Sequence, residues 1–146
     1  MRHGEAESKF ESDQLRPLTR RGQSEAIVMA DLLVNEMAPE LIIASPYVRA
    51  QQTAKLVKKR FGLLAAIITW DELTPAGQPS IVLDKVADLR EAEVMCVTHQ
   101  PFISHFIDYL TGVETGMGTA SVVAIQMEKE ACLQGCGEIE WIRHRQ

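Results

Sequence analysis

The chain has no apolar run long enough to cross a bilayer, and Met1 leads into a polar stretch, Arg2 to Ser12, with no signal-peptide core. A cytoplasmic, reducing location is the expectation. Cysteine is scarce: Cys96, Cys132 and Cys136 are odd in number and do not have the pattern of a disulfide framework. Cys132 and Cys136 form a C-x-x-x-C pair in a Gly-rich turn. With His144 as the only nearby further ligand and a spacing that matches no zinc pattern, no metal is expected there. Positive charge is in deficit as well. The net charge of −5 argues against nonspecific nucleic-acid binding, which needs a clustered basic face. It leaves room for a phosphate ligand, because a local arginine cluster can sit in an acidic protein. Repeats, low-complexity tracts and linker-like stretches are also missing, which leaves one domain, 1–146.

At 46% hydrophobic and 24% charged, such a chain can bury an ordinary core. A helix is expected from about Arg20 to Met37. Thr19 is placed to cap it, Ile27, Ala30, Leu33, Val34 and Met37 mark one apolar face, and Pro39 stops it. Leu41 to Ala44 is a short continuous apolar run, the pattern of a buried strand. Ser45-Pro46 breaks it, and a second helix is expected from about Val48 to Phe61. Ala65 to Thr69 reads as a strand, and Trp70 to Pro79, with two prolines and a glycine, as a loop. Ser80 is placed to cap a third helix with Val82, Val86 and Leu89 on its inner side. Val94 to Thr98 reads as a further buried strand. Pro101 suits the first turn of a fourth helix, striped by Phe102, Ile103, Phe106, Ile107 and Leu110. Ala120 to Met127 and Glu138 to Arg143 read as a closing hairpin around the Cys132–Gly137 turn. The alternation implies an α/β domain, with a largely parallel sheet and helices on both faces.

In open α/β sheets, ligands bind at the carboxyl ends of the strands. Ser45 and Arg49 follow the Leu41–Ala44 strand, Glu72 lies just after the next, and His99 directly follows Val94–Thr98. If a short strand ends at Arg2, His3 joins the same edge. Two histidines and two arginines there suit a phosphate: cations and helix N-termini balance the anion, and an imidazole can attack phosphorus. Arg49 near a helix start opposes the helix dipole, which favours a functional reason for it. Plainer alternatives stand beside each residue. His99 fits a loop or core histidine, Arg16 a solvated coil residue, Glu72 an ordinary loop carboxylate, and a lone Arg-His-Gly is a weak signal. His105, inside the fourth helix, reads as structural. The coincidence at one edge is what carries weight.

Arg2-His3-Gly4-Glu5-Ala6 resembles the signature of the histidine phosphatase superfamily. Ser45-Pro46-Tyr47-Val48-Arg49-Ala50-Gln51-Gln52-Thr53 resembles its second motif, and Thr98-His99-Gln100-Pro101 its third. Arg16-Pro17-Leu18-Thr19 and Glu72-Leu73-Thr74-Pro75 are similar to segments of the short bacterial SixA-type phosphohistidine phosphatases. The resemblance implies a phosphoglycerate mutase-like fold, a three-layer α/β/α sandwich with a mostly parallel central sheet. It also implies a phosphohistidyl-enzyme mechanism. A neutral His3 attacks phosphorus in line, Arg2, Arg49 and His99 hold the phosphoryl oxygens, and Arg16 adds a further clamp. No metal or other cofactor is implied. Glu72 is the best-placed candidate proton donor to the leaving group.

Short connections and SixA-like flanking segments favour phosphohistidine on a protein partner as substrate. A small phosphate ester, such as a sugar phosphate or nucleotide, is the alternative. A non-catalytic module that binds a phospho-ligand is the third, against which the intact His3, Arg49 and His99 weigh. Neither nucleic acid nor membrane is expected as a partner. The family places a buried apolar strand ahead of its arginine, whereas only Met1 precedes Arg2. The first strand is therefore expected to be truncated and His3 loosely anchored. A chain extended upstream is expected to be more stable and more active.

Overall fold

The computed structural model describes residues 1–145. Strand β1 (Leu41–Ala44) lies at the centre of a parallel sheet, between β2 (Ile68–Thr69) and β3 (Val94–Val97). All four β1 residues are buried, as a strand covered on both faces requires. Their alternation assigns the two faces. Ile42 and Ala44, with Met95 and Val97, pack against Ala26, Met29, Ala30 and Leu33 of α1 (Arg20–Leu33) and Ala50, Ala54 and Val57 of α2 (Val48–Phe61). Leu41 and Ile43, with Val94 and Cys96, pack against Val82 and Val86 of α3 (Pro79–Ala87) and Phe102 and Phe106 of α4 (Phe102–Thr111). The result is an α/β/α sandwich. An antiparallel hairpin, β4 (Val122–Gln126) with β5 (Glu138–Arg143), extends it by packing Val123, Ile125, Ile139 and Ile142 against Ile103 and Ile107 of α4.

Met1–His3 join the parallel sheet to this hairpin. Arg2 bridges Thr98 in parallel, with Thr98 N–H donating to the Met1 carbonyl (2.9 Å) and His3 N–H to that of Thr98 (3.1 Å). On the other side Arg2 N–H donates to the Ser121 carbonyl (3.0 Å), and Ala120 N–H to that of His3 (2.9 Å). The strand is as short as expected, yet His3 is not loosely held. Backbone hydrogen bonds on both sides fix it in place of a longer apolar run, and Met1 is buried in the core beside α1 and α2.

Several element ends differ from the sequence expectation. Helix α1, capped by the Thr19 hydroxyl on Gly22 N–H, ends at Leu33 rather than Met37. The chain must reverse there to enter β1, and Val34 to Met37 form a turn held by the Leu33 carbonyl. β2 is two residues long because it is an edge strand that pairs only with Ile43 and Ala44. Helix α3 starts at Pro79 with Gln78 as N-cap, so Ser80 is not the cap; proline's fixed φ suits the first helical position. Pro101 is the N-cap of α4 rather than part of its first turn. Strands β3 and β4 are trimmed to Val94–Val97 and Val122–Gln126. Helix α2 ends at Gly62, whose φ of 66° is left-handed and natural for glycine. No helix among the described residues is long and apolar enough to cross a membrane. Cys132 and Cys136 belong to no group of three or more potential metal ligands among those residues.

Candidate active site

The carboxyl ends of Met1–His3, β1 and β3 bring Arg2, His3, Arg49 and His99 together. His3 is 6% exposed, Arg49 3% and His99 1%, unusual burial for such residue types. His3 Nδ1 lies 2.6 Å from the Gly4 carbonyl oxygen, which can only accept, so this nitrogen carries the proton. Nε2 is then left with the lone pair, and Arg49 Nε–H donates to it at 3.2 Å. The His3 and His99 rings are 5.0 Å apart, and His99 Nε2 shares a hydrogen bond with Ser45 Oγ at 2.7 Å. Tyr47 and His99 meet in a T-shaped contact, centroids 4.9 Å apart, and the Arg49 guanidinium sits over the Tyr47 ring at 5.0 Å.

Helix α2 supplies the frame around these groups. Arg49 is its second residue, and Thr53 one turn later accepts Gly4 N–H (3.1 Å) while donating to the Arg49 carbonyl (2.8 Å). One hydroxyl thus ties the turn after His3 to the helix that carries Arg49. Gln52 Oε1 accepts Leu18 N–H at 2.7 Å, and Gln51 Nε2 donates to the Ser45 carbonyl at 2.8 Å. The buried carboxylate of Glu25 accepts Glu5 N–H (2.8 Å) and the Thr119 hydroxyl (3.1 Å), which secures the loops flanking His3.

Electrostatically the pocket is positive and neutralises its own imidazoles. Burial pushes His3 down to about 4; the charges of Arg49, Arg2 and Arg16 add to this, and the bond to Gly4 opposes it. Burial, followed by His3 and then the same cations, pushes His99 down to about 2. Arg2 Nη1 donates to the Met117 carbonyl at 3.0 Å, but Arg2 Nε and His99 Nδ1 are buried without a partner among the described residues. Unpaired buried polar atoms are costly and collect where a protein binds something. A dianion placed between these groups would give them partners, and beside it the unprotonated Nε2 of a neutral imidazole, held by a single hydrogen bond from Arg49, has the chemistry of a nucleophile toward phosphorus.

The other sequence candidates fall differently. Arg16 reaches the group through Asp13: its Nε and Nη2 both lie 2.9 Å from Asp13 Oδ1, and Arg49 Nη2 is 3.3 Å from Oδ2. Glu72 makes a 3.0 Å ion pair with Lys85, whose ammonium sits over the Trp70 ring (4.6 Å). Its own backbone N–H and then Lys85 hold its carboxyl below the usual range, the opposite of what a proton donor needs. His105 is an exposed residue of α4, away from the site. Sequence reasoning missed Asp13, Glu25 and Thr53. Only Thr53 had a readable signal, since it lies four residues after Arg49 and shares its helix face.

Fold and site together define an α/β domain that gathers two arginines and two neutral histidines at its strand ends, an arrangement suited to a phosphate. Residues 1–75 match the histidine phosphatase superfamily (branch 1). Phosphohistidine phosphatase SixA of Escherichia coli (strain K12) is 32% identical over 146 residues, spanning 97% of this chain and 89% of that protein. The SixA homolog of Haemophilus influenzae is 33% identical over 125 residues, 77% of this chain and 75% of that one. The structure of the protein histidine phosphatase SixA complexed with tungstate superposes with a TM-score of 0.91 at 27% identity, covering 99% of this chain and 94% of that one. The chain belongs to the histidine phosphatase superfamily, and it is a phosphatase of the histidine-nucleophile type.

Proposed function

We propose that this phosphatase removes the phosphoryl group from phosphohistidine on a cytoplasmic protein partner, with His3 as nucleophile. The observation that carries the reading is the locked tautomer of His3, Nδ1–H on the Gly4 carbonyl and Nε2 facing Arg49. Nε2 attacks phosphorus in line as the bond from phosphorus to the partner's imidazole nitrogen breaks. The ring gains positive charge in that step, and the short Nδ1–H to carbonyl bond stabilises it. Arg2, Arg49, His99 and Arg16 take the phosphoryl oxygens, where negative charge is spread in the transition state. Water then attacks phospho-His3, releasing inorganic phosphate and restoring the unprotonated Nε2.

Two observations support a phosphoramidate on a protein. The protonated imidazole of phosphohistidine leaves readily without an enzymatic acid, which suits a Glu72 that is ionised and bound to Lys85. The surface beside Tyr47 is an open groove of about 440 Å³, walled by Leu15, Pro46, Val48 and Thr74, and can admit a side chain borne on a folded partner. The E. coli and H. influenzae relatives bear the name phosphohistidine phosphatase, and the tungstate complex places a tetrahedral oxyanion on a protein of this fold. The test is a substrate panel with a chemical trap. A phosphohistidine peptide should turn over faster than sugar phosphates and nucleotides, and quenched wild type should carry an acid-labile, alkali-stable phosphate that His3→Ala lacks. Turnover of esters alone would move the substrate to a small phosphate ester, and turnover by His3→Ala would remove the mechanism.

A further inference from the structure

Each nitrogen of the Arg49 guanidinium has a protein partner for one of its N–H groups. Nε–H serves His3, Nη1 donates to the Asp13 backbone carbonyl at 2.6 Å, and Nη2 to Asp13 Oδ2 at 3.3 Å. Arg16 is equally engaged, with Nε and Nη2 on Asp13 Oδ1 and Nη1 on the Glu7 carbonyl at 3.0 Å. One carboxylate therefore spans the two guanidiniums assigned above to phosphoryl oxygens. While Asp13 keeps this position it holds the Nε–Nη2 edge of Arg16 and one Nη2 hydrogen of Arg49, donors that a phosphoryl group in the site would compete for.

The two sides of the contact are unequally anchored. Arg49 is buried in the first turn of α2, behind Tyr47. Asp13 opens a single 3₁₀ turn, Asp13–Leu15, which buries none of its residues and has no side-chain cap at Ser12. More than half of the Asp13 side chain faces solvent (57%). Displacing it exposes no core and breaks no sheet, so the turn is the element that yields. Partial desolvation works against ionisation of Asp13. The charge of Arg49 and the hydrogen bonds from Arg16 and Arg49 outweigh that and keep it an anion.

We infer that Asp13 is a resident anion of the phosphoryl site, closing the Arg16–Arg49 pair when the site is empty and exchanging with the phosphoryl group when substrate binds. The inference rests on the reading of those arginines as phosphate clamps. Exchange has two consequences. A weak monoanion gains little by replacing a carboxylate already held by two guanidiniums, whereas a dianionic phosphoryl group gains a full charge. Inorganic phosphate, the last product to leave, is helped out as Asp13 returns. The opposing reading makes Asp13 a fixed prop that aims the arginines and stays in place with substrate bound.

The two readings differ in sign. Calorimetric titration of inorganic phosphate into the full chain at fixed ionic strength compares wild type with Asp13→Asn and Asp13→Ser. Asp31→Asn, which breaks the remote 3.0 Å pair with Arg60, controls for the change in net charge. Exchange predicts roughly tenfold tighter phosphate binding in both Asp13 variants, a ratio of about 1.4 kcal/mol, with Asp31→Asn unchanged. It also predicts a lower KM with kcat unchanged or reduced, because product leaves more slowly. Phosphate binding that is unchanged or weaker in both Asp13 variants, or a raised KM, would overturn the inference in favour of the prop. If wild type binds no phosphate at all, the clamp reading fails and this inference with it. Phosphate binding without phosphohistidine turnover would instead count against the proposed substrate alone.

Discussion

Gly4 and Gly22 lie backbone against backbone: a methyl group on Gly4 would collide with the Gly22 carbonyl, and one on Gly22 with the carbonyl of Glu5. Through this contact the first turn of α1 rests directly on the turn that carries His3. Neither position has a flexible side chain that can give way, so the backbones themselves would have to part. Gly22→Ala is expected to destabilise the fold by about 1–3 kcal/mol, the usual range for overpacking. Because the displaced segment holds His3, it should also lower kcat by more than it raises KM. Urea unfolding and steady-state kinetics on the same sample check both.

Removing the Thr53 hydroxyl while keeping its shape tests the second support of that turn. Thr53→Val leaves the buried Gly4 N–H without its acceptor. An unsatisfied buried donor costs about 1–3 kcal/mol, so the urea midpoint should fall by a corresponding amount. Thr53→Ser, which restores the hydroxyl, should recover most of the stability and turnover. Equal loss in both variants would assign the effect to the methyl group instead.

The lowered pKa of His3 has a sign that can be measured. In the unfolded chain a histidine takes up its proton near pH 6.5, whereas in the fold His3 resists until about pH 4. Between those values the unfolded state binds more protons, so stability rises with pH across that window. The contribution is complete above about pH 6.5 and is lost as pH falls toward 4. Ring NMR signals of His3 should report a neutral Nδ1–H imidazole at pH 5.5. The stability difference between pH 7 and pH 5 should shrink in His3→Gln. A His3 ring already protonated at pH 6 would contradict both.

Glu72 separates the two substrate classes. Bound to Lys85 and held ionised, it is not needed for a leaving group that departs already protonated. Glu72→Gln should change turnover of a phosphohistidine peptide by less than about threefold, well below the 10²-fold or greater loss typical when a general acid is removed. A comparable loss with the phosphohistidine peptide would restore Glu72 as the acid and place it closer to the site during turnover.

The order and class of the elements were legible in the sequence because each depends on nearby residues. The continuous Leu41–Ala44 run, the stripe on α4 and the Gly and Pro punctuation each encode a local preference that tertiary packing reinforced. Arg2, His3, Arg49 and His99 were legible for a related reason: each sits at the end of a strand or, for Arg49, in the first turn of the helix that follows one, and a parallel sheet collects such ends along one edge. What only the tertiary structure decided are the partnerships across that edge. Thr53 meets Gly4 across 49 residues of sequence, Glu25 meets Thr119 across 94, and Asp13 reaches Arg49 across 36. No periodicity encodes such pairings, because they depend on where helices and turns come to rest once the core has packed. The same holds for the security of His3. The single residue ahead of Arg2 pointed to a strand too short to hold it, and hydrogen bonds to Thr98 on one side and Ala120 on the other, available only after β3 and the hairpin are in place, fix it beside Arg49 and His99.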